Sequence, residues 1–437
     1  SILGLLLILF SVAFFDDSTR FPSFYALAPV VGTSLIVLFG SKETIIGKIL
    51  STKFLVGIGL ISFSAYLWHQ PLLAFARIRL LSEPSNGLML SLSLLSIILA
   101  WFSWRYVEQP FRKKSGSIFY SRKAVFISSG FAMGMFATFG LYGHIQKGFS
   151  QRVSLPKLVV SDLHVRKYQK ECFDFSMEKL ESDGFFCHLG DLAEKPRVAV
   201  IGDSHALSFL PSLEALAQEN ESSLIFSGVS SCPPILNTFV LRDDSRRDVC
   251  NERNKHAHKE ILDLGVETVV LIARWTNYTV SDISGDFMHL SSEYDVIPDK
   301  AATLSVFKDN LESTLKYYTE NGLNVIIFHQ PPVQKLDARS FYNYYYIISD
   351  RPFKEYLLEA SVSKYDHVKR YSPVVDIIEN KASIFPSVQS VNFSEALCGS
   401  GICKIGTPKR SYYLDDNHLS NYGASAVEES YRGILFR

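Results

Sequence analysis

Long apolar runs crowd the first 145 residues of this 437-residue chain, and they restrict its folding more than any other feature. A bilayer core of about 30 Å is crossed by roughly 20 apolar residues of helix. Five stretches reach or approach that length: 1–15, 23–40, 54–76, 87–107 and 124–143. From residue 146 to 437 polar and apolar residues mix as in ordinary globular sequence. The expectation is a membrane part followed by a water-soluble part. The chain opens at Ser1 inside an apolar run, without the basic region and small-residue cleavage site of a secretory signal. It reads as a piece cut from a longer polypeptide.

Basic residues in the short loops set the expected orientation, because Lys and Arg favour the cytoplasmic side. Lys42, Lys48 and Lys53 fall in loop 41–53, and Arg112, Lys113, Lys114, Arg122 and Lys123 in loop 108–123. The alternate loops hold only Arg20 and the pair Arg77 and Arg79. Five crossings would then place everything after about residue 145 outside the cytoplasm. Lys plus Arg equals Asp plus Glu at 44 each, so no bulk charge points to nucleic acid as a partner.

The cysteines agree with export. Cys172, Cys187, Cys232, Cys250, Cys398 and Cys403 all follow the last apolar run. An even number confined to an exported stretch suggests disulfides. Pairing of nearest neighbours (172–187, 232–250, 398–403) closes the shortest loops. The rival use, a metal site, has neither CxxC nor regular ligand spacing to support it.

Two strings in the apolar part carry polar residues. Ile61–Pro71 reads ISFSAYLWHQP, and Trp104–Lys113 reads WRYVEQPFRK. Trp68, His69, Gln70 and Pro71 suit a helix end at a membrane interface, and His69 suits a buried, satisfied imidazole. In this order the two strings resemble the final helices of the acyltransferase-3 family of integral membrane proteins. The resemblance covers roughly residues 1–115, with 116–150 as a last membrane helix and linker. It implies transfer of an acyl group, usually acetyl from acetyl-CoA, at or across a bacterial cytoplasmic membrane. The residues that act on the donor in that family lie in its first helices, which precede the portion matched here.

The exported part starts with 144–196, which reads as a linker and irregular lead-in containing Arg166 and Lys167. Strand-like runs then appear at 197–201, 223–226, 268–273, 324–328 and 374–377, with helical stretches such as 303–321 between them. Such alternation predicts a parallel sheet covered by helices, with any active site beyond the carboxyl ends of the strands. Gly202-Asp203-Ser204-His205 sits at that end of the first strand. A serine at a strand-to-helix turn is exposed, with helix amides behind it, although Asp203-Ser204 would also serve as a simple N-cap. Near the carboxyl terminus, Asp415-Asp416-Asn417-His418 places a carboxylate three residues before an imidazole. Serine nucleophiles need a base, and the base needs an orienting carboxylate.

Together these motifs resemble the SGNH/GDSL esterase superfamily, and in particular the exported domains fused to acyltransferase-3 proteins that O-acetylate bacterial surface polysaccharides. The implied fold is a set of α-helical transmembrane segments followed by an α/β/α SGNH-hydrolase-like domain with a parallel sheet, over 151–437. Matched by motif, Ser204 is the nucleophile, His418 the base and Asp415 its orienting carboxylate. Gly228, in IFSGVSSCPP, stands at the second-block glycine. The third block departs from the usual Gly-x-Asn-Asp: here it reads Ala273-Arg274-Trp275-Thr276-Asn277. Asn277 would supply an oxyanion amide, or Arg274 or Trp275 would serve the site in another way. No bound cofactor and no metal are implied. The expected partners are an acetyl donor reached through the membrane part, a polysaccharide acceptor such as lipopolysaccharide O-antigen, and the bilayer, with the exported domain in the periplasm. A carbohydrate acetyl esterase would use the same three residues.

Overall fold

The computed structural model of the chain describes residues 1–437 except 17–18, 20–22, 81–83, 113–120, 150–154, 165–166, 175–183, 242–243, 282–284, 286, 295, 297, 350, 400 and 437. Arg20, Lys113, Lys114 and Arg166 therefore lie outside the described residues. The chain divides into two compact units, Ser1–Ser150 and Gln151–Arg437.

The first unit is helical. Helices Ile2–Phe14, Leu27–Phe39, Lys53–Arg79, Asn86–Phe102 and Arg122–Ile145 fall on the five apolar runs. Among the described residues, two continuous helices are both long and apolar enough to cross a membrane: Asn86–Phe111 and Lys123–Ile145. Pro71 does not end its helix; it lies inside Lys53–Arg79. Nearby, His69 Nδ1 satisfies itself on the Tyr66 carbonyl at 2.7 Å. The two polar strings meet. Trp68 Nε1 donates to Ser103 Oγ at 2.8 Å, and Ser64 Oγ to Glu108 Oε2 at 3.3 Å. Ser103–Glu108 is a π-helical turn, so the second string is wider than an ordinary helix end.

The second unit is built on a six-stranded sheet. Its strands are β1 (Cys187–Gly190), β2 (Pro196–Gly202), β3 (Ser223–Gly228), β5 (Thr268–Ile272), β7 (Asn324–Phe328) and β9 (Val388–Val391), with Phe239–Leu241 as β4, His289–Ser291 as β6 and Val362–Ser363 as β8 in small separate pairs. The sheet order is β1-β3-β2-β5-β7-β9, with β1 antiparallel to β3 and every other neighbour parallel. Residues on a strand alternate between faces, and both faces are buried here. Ala199, Ile201, Val269, Leu271, Val325 and Ile327 join one core with helices Asp244–Leu264, Lys300–Glu320 and Lys364–Ala382. On the opposite face Phe328 packs against Phe209 of helix Ser204–Glu219 and against Phe393 and Tyr431.

Two expectations need correction. Val374–Ile377 is not a strand but part of helix Lys364–Ala382, whose buried residues His367, Tyr371, Val374, Ile378 and Ala382 recur at helical spacing. A four-residue apolar run cannot distinguish a buried strand from a buried helix face. The last parallel strand is instead β9, which carries the short VQSV. The lead-in 144–196 is also more ordered than expected. It contains helix Lys157–Asp162 and edge strand β1, and Asp162 receives two hydrogen bonds from Arg410, at 2.8 and 2.7 Å.

The cysteines pair as expected, in disulfides 172–187, 232–250 and 398–403. No cysteine is free, so none is available as a thiolate ligand.

Candidate active site

The turn after β2 is tight for a steric reason. A Cβ at Gly202 would run into the Ile272 carbonyl and Ala206, so only glycine lets β2 pass this close to β5. Asp203 follows as the N-cap of helix Ser204–Glu219, accepting from the His205 backbone N–H at 2.8 Å. Its other oxygen accepts from the Arg274 backbone N–H at 2.9 Å and from the Tyr278 hydroxyl at 2.8 Å. Asp203 therefore pins the serine turn to the loop after β5. Burial raises its pKa, and these three donors pull the other way.

Ser204 opens the helix, at the carboxyl end of a central parallel strand. Facing it is the loop 415–418, closed at its base by the Tyr413–Leu419 bridge and by the Leu414 N–H donating to the His418 carbonyl at 2.8 Å. Two bonds from the segment after β7 hold this loop. Gln334 N–H reaches the Asp416 carbonyl at 2.6 Å, and Ala338 N–H reaches the Asp415 carbonyl at 3.1 Å.

The side chains form a line. Ser204 Oγ is 2.8 Å from His418 Nε2, and His418 Nδ1 is 2.7 Å from Asp415 Oδ2. Asp415 Oδ1 also accepts from the backbone N–H groups of Asn417 and His418, at 3.0 and 2.7 Å. Burial alone would raise the Asp415 pKa. The His418 hydrogen bond and charge, with the two amides, override it and hold the carboxyl well below its ordinary range. An ionised Asp415 accepting from Nδ1–H leaves Nε2 to accept the serine proton. The arrangement can make Ser204 a nucleophile.

The remaining candidates divide. Gly228 ends β3 in register with Gly202, beside the serine turn, and a side chain there would strike Phe226 and Phe173. Arg274 caps the turn Trp275–Tyr278, and its positive charge opposes the raised pKa of Asp416. Asn277, in the same turn, is buried, and its Oδ1 has no hydrogen-bond partner among the described residues. Trp275 goes elsewhere. It is 0% exposed, its indole N–H is taken by the Phe328 carbonyl at 2.8 Å, and its ring packs with Phe307.

Several participants in this geometry did not stand out in the sequence. Tyr278 holds Asp203, and Gln330 accepts from Thr276 N–H at 2.9 Å, fixing the loop after β5. Arg253 is fully buried beneath the serine turn, with Nη2 reaching the Cys232 carbonyl at 3.2 Å and the Gly202 carbonyl at 3.4 Å. Burial pushes its guanidinium down to about 10. His205 and Asn417 contact each other at 3.0 Å. These two were visible only as motif neighbours, flanking Ser204 and His418. Among the described residues no cluster of three or more His, Cys, Asp or Glu is placed to hold a metal ion.

A family model described as an SGNH domain fused to AT3 domains matches residues 171–432. Among solved structures, the periplasmic domain of the lipopolysaccharide acetyltransferase of Salmonella ser. Paratyphi A is 16% identical, with 69% of this chain and 96% of that chain covered and a TM-score of 0.41. A GDSL-like lipase from Bacteroides thetaiotaomicron is 13% identical, with 55% and 88% covered and a TM-score of 0.31. A search of the curated proteins finds no match. The family match spans more than half the chain and takes in the serine turn and the 415–418 loop together. By that match, the chain belongs to the family of SGNH domains that are fused to AT3 domains.

Proposed function

We propose that this chain is part of an O-acyltransferase that moves an acetyl group onto a hydroxyl of a cell-surface polysaccharide, with Ser204 as the carrier of the acyl group. The observation that carries the reading is the unbroken line from Ser204 Oγ through His418 to Asp415, with both links under 3 Å. Ser204 Oγ attacks the acyl carbonyl carbon as its proton passes to His418 Nε2. The tetrahedral intermediate then expels the donor group, which leaves with that proton. A sugar hydroxyl attacks the acyl-enzyme, gives its proton to Nε2, and the released serine takes it back. Asp415 stays ionised throughout and steadies the imidazolium. Candidate oxyanion donors are the Gly228 backbone amide and the Asn277 side chain, with Arg274 nearby to bind the acceptor.

The membrane part belongs to the same proposal. Residues 1–115 would be the closing helices of an acyltransferase-3 domain that passes acetyl from acetyl-CoA, 116–150 the last crossing and linker, and 151–437 the periplasmic catalytic domain of an inner-membrane, multi-pass protein. Five apolar helices and the alternating basic loops support this arrangement. The second reading, a carbohydrate acetyl esterase, differs only in letting water reach the acyl-enzyme. Fusion of this domain family to AT3 domains favours transfer. The test is the O-acetyl content of surface glycan from cells carrying the full-length protein or its Ser204→Ala variant. Acetyl should be present with the first and absent with the second. Acetyl that rises in the variant would instead favour the esterase.

A further inference from the structure

The residues beside Ser204 and His418 make a second contact parallel to theirs. His205 is 1% exposed, and its Nε2 lies 3.0 Å from Asn417 Oδ1. The Asn417 amide nitrogen donates to Asp416 Oδ1 at 2.6 Å. The NH2 of Asn417 thus faces the Asp416 carboxyl oxygen as donor, and its carbonyl oxygen faces His205. That leaves His205 Nε2 as the donor. Asn417 also gives its backbone N–H to Asp415 at 3.0 Å, and the His205 and His418 rings lie 4.8 Å apart, tilted by 43°. Two successive residues of the serine helix thus bond two successive residues of the histidine loop: Ser204 to His418, and His205 to Asn417.

We propose that His205 is a positioning residue, whose donated Nε2–H locks the 415–418 loop so that His418 stays aligned on Ser204. The proposal rests on the reading of Ser204 as nucleophile. Its physical basis is leverage. The loop is a short hairpin held at its base and from behind, whereas the Ser204–His418 bond must form and break in every turnover. The His205–Asn417 bond need not change during the reaction, so it can keep the loop in register while the catalytic bond is exchanged. Losing it leaves a buried acceptor unpaired and frees the loop to shift, and a displacement of about 1 Å is enough to slow chemistry on the order of 100-fold.

The test uses the full chain in detergent-solubilised membranes and a fluorescent alkyl fluorophosphonate, which an activated serine attacks with loss of fluoride. The readout is the second-order labelling rate, normalised to folded protein by the unfolding midpoint. Ser204→Ala should abolish labelling. His205→Leu keeps the volume and removes the donor, and labelling should slow about 10- to 100-fold. His205→Gln places an amide N–H close to the position of Nε2 and should recover the rate to within about threefold of the parent. Should the leucine variant not fold, Asn417→Ala removes the acceptor instead and should slow labelling comparably. The His205→Gln, Asn417→Ala double variant should then be no slower than Asn417→Ala alone, because both act on one contact. Leucine or alanine variants within about threefold of the parent, or a glutamine variant as slow as leucine, would overturn the positioning role. Ser204→Ala labelling at the parent rate would overturn the nucleophile reading itself.

Discussion

The two halves of this chain use the same apolar residue types in opposite directions. In the first unit aromatic side chains point outward: Phe126 and Phe131 of helix Arg122–Ile145 are 77% and 75% exposed. In the second, Phe226 and Phe328 are 0% exposed on one face of the sheet, and Ile225 and Ile327, their strand neighbours, are buried on the other. Water does not tolerate extended apolar surface of the first kind without a partner, whereas a lipid interior accepts it. The exposed apolar helices of the first unit fit the membrane setting proposed above, whereas the second unit is held by its own core. Chemistry that needs side chains held to a fraction of an ångström belongs in the second, where Ser204 and the 415–418 loop are tied by buried hydrogen bonds.

The largest effects should come from the proposed catalytic line. Ser204→Ala and His418→Ala should each lower hydrolysis of a small activated ester by about 1,000- to 10,000-fold, and the double variant should be no worse than either alone, since the pair acts as a unit. Multiplying losses would mean that the two act separately. Next is the contrast itself. Phe328→Ala should destabilise the second unit by about 3–5 kcal/mol, a core truncation that leaves a cavity among Phe209, Phe393 and Tyr431. Phe131→Ala should shift thermal unfolding by no more than about 0.5 kcal/mol, having no protein core to lose. Similar losses at the two positions would break the distinction drawn here.

Legibility from the sequence followed the same divide. Central strands with continuous Val and Ile runs stood out, and β2 and β7 fall within a residue or two of where the sequence put them. The serine and histidine motifs also stood out, because each pairs a turn residue with a chemical group. What escaped was set by tertiary context. VQSV of β9 is short and half polar, while Val374–Ile377 is as apolar as a strand yet packs as a helix face. Trp275 looked available beside Arg274, but its indole N–H is taken by a carbonyl at the end of β7. His205 and Asn417 gave no periodic or compositional signal, since their contact exists only after residues 212 apart in sequence are brought together.

The smallest perturbation alters neither unit and tests the proposed membrane orientation. Alkaline phosphatase joined after Phe149 should be active, and joined after Arg112 inactive, as the basic loops require. The reverse pattern would contradict both the orientation and the export of the disulfide-bonded unit.

The central claim is that Ser204 carries the acyl group, and mass spectrometry of the full chain after brief exposure to para-nitrophenyl acetate at low temperature tests it most directly. The account predicts an acetyl adduct on the peptide containing Ser204, absent in Ser204→Ala and lost with time as water or an added glycan takes the group. An unmodified Ser204 peptide, alongside ester hydrolysis that persists at the parental rate in Ser204→Ala, would contradict it.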